Sequence, residues 1–278
     1  MDENVKVSKV GSFFQAVGWA ASYFLAQSVG LSIALIFAIL FGAITPEMST
    51  SILESLSTTG VLPDNVMLLI SELSNYSIIL ALIPYVIIVF LKHKKGESII
   101  RKAPLKEVTK TISMGFALSL GVNLFLVLAY AILPESIISG YSELMNLLVG
   151  GTSITMCLAV GIVAPIVEEI VFRYGALGAL EKAFSPKVSL VLQALFFGII
   201  HGNLIQGTYA FVLGLALGYL YNKSNKNLLI PILIHFTVNM SSCIFSLLGI
   251  ESLIALPILT VVSALITFII FKVDKKKA

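Results

Sequence analysis

Glu168 and Glu169, followed by Arg173, lie within an apolar stretch of this chain, and His201, His235 and Asn239 lie within others. Carboxylates and imidazoles are the groups that take up and return protons near neutral pH, so this set could perform general acid–base chemistry. In hydrocarbon such groups are costly. A central Asp, Lys or Arg costs roughly 2.5–3.5 kcal/mol on insertion scales, and those retained there usually serve function. Glu168 and Glu169 project about 100° apart around a helix and cannot share one role. Glu169 and Arg173, at i,i+4, can form an ion pair. Glu168 is then left without a local cation, and a carboxylate in a low-dielectric pocket can act as general base. His235 and Asn239, also at i,i+4, share one helix face.

The elements that must hold these groups are membrane helices. Of 278 residues, 58% are apolar and 12% charged, against about 25% charged in soluble domains, and mean hydropathy is +1.00. Taking about 20 apolar residues per crossing, the pattern predicts eight spans near 13–41, 66–91, 111–133, 150–180, 188–202, 207–221, 228–248 and 252–271. The expectation is an all-α, polytopic helical bundle forming one integral membrane domain over 1–278. Its helical core is 110–248, with the polar residues within 150–245. The first span is too long for a signal-peptide apolar region and reads as a retained anchor. Thr45 to Gly60 and Pro134 to Gly151 read as connections.

Eight spans place both termini on one side. All 18 Lys and Arg fall there: 2 at the N-terminus, 7 in 92–110, 3 in 173–187, 2 in 222–227 and 4 from Lys272 onward. By the positive-inside rule this side is cytoplasmic, in an integral cell-membrane protein. At 1.5 Å per residue, Glu168 falls ~18 Å from the cytoplasmic end of its helix, His201 ~21 Å, His235 ~12 Å and Asn239 ~18 Å. The expectation is therefore a polar site in the cytoplasmic half, open to that side. Each residue also has an ordinary reading. Arg173 could serve only to orient Glu169, and His201 and Asn239 could simply hydrogen-bond between helices. Cys157 and Cys243 read as small core residues with no disulfide framework.

Other chemistries find less support. The aspartates Asp2, Asp64 and Asp274 lie outside the spans, and no GxSxG or HExxH occurs; those patterns would signal a serine nucleophile or a zinc site. No cofactor is expected, although His201, His235 and a glutamate could form a His₂Glu zinc set. No nucleic-acid partner is indicated.

Three motifs occur in order: EExxxR at Glu168–Arg173, FxxxH at Phe197–His201 and HxxxN at His235–Asn239. Together they resemble the CPBP family of type II CAAX prenyl endopeptidases and bacterial proteins linked to bacteriocin processing and self-immunity. Residues 196–221 resemble its bacterial branch. The resemblance implies Glu168 as catalytic base, His201 as its helper in activating water, and His235 with Asn239 as oxyanion stabilisers. Glu169 and Arg173 support them. It implies an intramembrane endopeptidase near the cytoplasmic face, acting on peptide or protein substrates in contact with the lipid bilayer, with C-terminal prenylation of the substrate left open. Two alternatives stay open: a non-proteolytic immunity or regulatory partner, and a transporter or proton relay.

Overall fold

The computed structural model describes residues 8–149, 154–249 and 252–277. Asp2, Lys6 and positions 150–153, which open the fourth expected span, lie outside them. All regular structure among the described residues is helical, as a chain in hydrocarbon requires, because a helix satisfies its own backbone polar groups. The helices are α1 (Lys9–Leu40), α2 (Pro46–Thr58), α3 (Asp64–Lys94), α4 (Leu105–Ile132), α5 (Glu135–Val149), α6 (Ile154–Leu180), α7 (Pro186–Ile199), α8 (Leu204–Lys223), α9 (Leu229–Leu248) and α10 (Ser252–Lys277).

Six of them, α1, α3, α4, α6, α8 and α9, are long and apolar enough to cross a membrane. The stretches Pro186–Ile199 and Ile254–Ile269 are shorter apolar helices. Six of the expected spans fall on the long helices, and the expected 188–202 and 252–271 fall on the two shorter ones. Two segments read as connections are helices instead. α2 begins with Pro46 at its first turn, where a missing N–H costs nothing. α5 begins at Glu135, immediately after Pro134, with the acid in its first turn where the helix dipole favours it.

α6 is the centre of the bundle. In its most apolar window 67% of residues are buried, against 17–28% for α1, α3 and α4. α1 and α3 pack along each other, α7 along α8, and α4 along both α9 and α10. Small residues permit these approaches, as expected where packing rather than hydrophobicity joins helices. A Cβ on Gly30 would lie 2.6 Å from the Ser77 carbonyl oxygen, and one on Gly198 2.7 Å from that of Gly207.

The ends that carry the basic residues are tied together. Asn227, just before α9, accepts at Oδ1 from the Arg101 backbone N–H (2.9 Å) and donates from Nδ2 to the Arg101 carbonyl (3.0 Å). The Leu228 N–H donates to the Ile99 carbonyl at 3.0 Å. Lys226 pairs with Glu181. The connection between α3 and α4 is thereby latched to the turn between α8 and α9.

Candidate active site

α6 presents its two carboxylates from an α-helical turn, Ala164–Glu169, set between two π-helical runs, Cys157–Val163 and Ile170–Leu177. Pro165 supplies a physical reason for the first. It has no N–H, and its ring would meet the carbonyl four residues earlier in a regular α-helix; a wider turn relieves both problems. Such π-turns concentrate at functional sites. Here the Val160 carbonyl, inside the first run, accepts from Asn239 Nδ2 at 2.9 Å, joining α6 to α9.

The neighbouring carboxylates face different partners. Glu169 is fully buried. Its Oε2 lies 3.0 Å from Arg173 Nε, and its Oε1 lies 2.8 Å from His235 Nδ1. Arg173 is also fully buried, with its guanidinium carbon 4.5 Å from the centre of the Phe197 ring. Its Nε contact is an ion contact without hydrogen-bond alignment, and Nη1 and Nη2 have no hydrogen-bond partner among the described residues. The ring face compensates in part, since cation–π attraction strengthens in desolvated surroundings. Glu168 instead accepts at Oε1 from the Tyr23 hydroxyl (2.8 Å), and its Oε2 lies 3.8 Å from His235 Nε2.

His235 therefore stands between the two glutamates. Its Nδ1–H points at Glu169, leaving Nε2 toward Glu168. His201 lies in the turn between α7 and α8, not inside a helix as its apolar surroundings suggested. Gly202, at φ +71, and the Asn203 cap of α8, whose Oδ1 accepts from the Gln206 N–H at 2.7 Å, shape that turn. His201 Nδ1 lies 2.7 Å from the Phe197 carbonyl. A carbonyl can only accept, so this contact assigns the proton to Nδ1 and leaves Nε2 as an acceptor.

Glu168, His201, His235 and Asn239 line one cavity of about 860 Å³. Glu169 and Arg173 are not in its wall; they sit behind His235 and Glu168. The sequence-predicted set is thus brought together in two layers. Tyr23 also lines the cavity, and the motif pattern does not reveal it. The available signal was weak: Tyr23 and Gln27 are polar-tipped residues at i,i+4 in an apolar span. Asn75 is a second addition. It is 1% exposed, lines the cavity, and its Nδ2 has no hydrogen-bond partner among the described residues. No group of three His, Cys, Asp or Glu side chains among the described residues is arranged to hold a metal ion.

The cavity does not extend toward the basic ends, as the depth arithmetic suggested. It reaches Tyr141 on α5 and Gly249 beyond α9, at the other ends of the helices. On the basic side of Glu168, α6 is packed shut, with Val171, Phe172, Arg173, Ala176, Leu177 and Leu180 all at 0% exposure. Helix rise carries no information about which side the neighbouring helices close.

Residues 150–241 match a family model described as type II CAAX prenyl endopeptidase Rce1-like. The chain is also 31% identical over 84 residues to a Bacillus subtilis (strain 168) protein named "Putative membrane peptidase YdiL". That alignment covers 30% of this chain and 34% of the relative, so the chain spans about a third of the relative it matches. No solved structure matches.

Proposed function

We propose that this chain, whose residues 150–241 match the type II CAAX prenyl endopeptidase Rce1-like model, is an intramembrane endopeptidase of the CPBP family whose general base is Glu168. The observation that carries this reading is the division of labour between the adjacent carboxylates. Glu169 is consumed by Arg173 and His235, while Glu168 faces the cavity with one oxygen held by Tyr23.

The steps follow from the donor and acceptor roles. A water placed between Glu168 Oε2 and His201 Nε2 donates to both, because both are acceptors, and turns an oxygen lone pair toward the substrate. As that oxygen adds to the peptide carbonyl carbon, Glu168 takes the proton. The developing oxyanion is met by Asn239 Nδ2, which has a second N–H besides the one given to Val160. His235 meets it from Nε2 when protonated there, and Glu169 steadies the resulting imidazolium. Collapse of the intermediate breaks the C–N bond, Glu168 returns its proton to the leaving nitrogen, and the resulting carboxylic acid gives its remaining proton to the amine, so that a carboxylate and an ammonium leave. Preorganised donors in a dry site can each contribute about 3 kcal/mol. The unpartnered amide of Asn75 suits a substrate backbone carbonyl, since a buried donor left unsatisfied costs about 1–3 kcal/mol. Substrates are peptides or proteins held in or at the membrane, and both termini of the chain are cytoplasmic.

Terminal-peptide proteomics on cells carrying wild type or Glu168→Gln at matched levels tests the proposal. New protein termini present only with wild type, and reproduced by purified protein in vesicles, are expected. Identical termini, with a deletion phenotype rescued equally by both versions, would replace the peptidase reading with an immunity or regulatory role.

A further inference from the structure

The cavity has a direction. On α6 its lining residues run from Met156 to Glu168, in the first half of a helix that ends at Leu180 beside the basic loops. On α8 they run from Gln206 to Leu213, in the half remote from Lys223. On α9 they begin at His235 and continue to the end remote from Asn227. α4 agrees, contributing only residues 122–126 of Leu105–Ile132. At 1.5 Å per residue, Ser246 is ~16 Å beyond His235 along α9, and it is exposed.

The opposite route is closed twice. Six side chains of α6 between Val171 and Leu180, all at 0% exposure, fill the bundle below Glu168. Beneath it, the Asn227 latch joins the two basic connections. The connections at the open end, 41–63, 133–153, 200–203 and 249–251, contain no Lys or Arg.

We propose that this cavity is a substrate channel opening on the non-basic, external face of the membrane. It takes peptide segments presented there, such as extracytoplasmic stretches of membrane or translocated proteins, and not cytoplasmic chain ends. Among the described residues of its lining Glu168 is the only Asp, Glu, Lys or Arg. A substrate carboxylate drawn in beside it would meet like-charge repulsion at low dielectric, with no Lys or Arg in the described wall to offset it and His235 already paired with Glu169. The accepted segment is therefore uncharged or cationic and is cut internally. The word substrate rests on the peptidase reading; the direction of opening does not.

The test uses the full chain with Cys157→Ala and Cys243→Ala, carrying Ser242→Cys, Ser246→Cys or, as a reference on the basic side, Ser98→Cys. A membrane-impermeant charged maleimide is applied to intact cells and to inside-out vesicles. Ser242→Cys and Ser246→Cys are expected to label in intact cells and to lose that labelling in inverted vesicles, with Ser98→Cys showing the reverse. Labelling of the two cavity positions only in inverted vesicles, or from neither face, overturns the proposal, as does labelling of Ser98→Cys in intact cells. Adding Glu168→Gln to each variant leaves the pattern unchanged, so the result stands or falls separately from peptide cleavage.

Discussion

Glu168 differs from Glu169 only in what surrounds it, and that difference can be measured. Glu168→Gln keeps the volume and can still accept from Tyr23 at Oε1, but it cannot take a proton. Its kcat is expected to fall about 10²–10⁴-fold, the usual contribution of a general base, with an unchanged thermal melt in detergent. Tyr23→Phe removes one charge-assisted hydrogen bond, typically about 1.5–3 kcal/mol. It is expected to lower kcat by about tenfold or more with KM nearly constant, because the phenol touches the base and not the substrate. An equal loss in KM alone would assign Tyr23 to substrate binding. Arg173→Met acts differently. It strands the Glu169 charge in a fully buried site, and breaking a buried pair from one side costs about 3–5 kcal/mol. Folded yield and melting temperature should drop before any kinetic effect is readable. The carboxylates, both histidines and Asn239 were legible in the sequence because their spacings are local. Tyr23 was not, because its contact crosses 145 residues of chain and depends on how α1 packs on α6.

At the level of elements, the eight apolar stretches were legible from composition and length. α2 and α5 were not, because Ser and Thr interrupt their apolar residues and both are too short to cross a bilayer. The π-turns of α6 left only Pro165 as a trace. The turn carrying His201 depends on a close helical pair that can be tested at glycines. Gly198 lies three residues before His201, and a Cβ there would sit 2.7 Å from a backbone oxygen of Gly207. Backbone cannot swing aside as a flexible side chain can, so Gly198→Ala forces α7 from α8. A loss of about 1–3 kcal/mol, typical of overpacking, is expected, along with reduced cleavage as His201 shifts. Gly178→Ala is the control. Nothing lies within 4 Å of its Cβ, and Ala is favoured over Gly by about 1 kcal/mol in a helix interior. Its melting temperature should hold or rise. Equal losses in the two variants would mean that the α7–α8 approach is not what positions the turn.

Across the whole molecule, charge and packing give different information about the same axis. Charge favours one orientation, because every Lys and Arg of the sequence except the buried Arg173 falls at the termini, connections or adjoining turns on one side of the expected spans. Packing decides which end of the bundle is shut, and it could not be read from charge. Asn227 makes that separation testable. Its side chain makes two hydrogen bonds to the Arg101 backbone, and its Oδ1 also accepts from the Leu229 N–H at 3.2 Å. At about 1 kcal/mol each, Asn227→Ala should cost roughly 2–3 kcal/mol of stability. The latch lies at the closed end, whereas the cavity leads from Glu168 to the other. Cleavage per folded molecule by Asn227→Ala, measured below its melting transition, should therefore equal that of wild type. If substrate instead passed between the basic connections, loosening the latch would ease its approach and cleavage would rise as stability fell. A variant that is less stable yet no faster would show that the latch closes a floor of the site rather than gating a door.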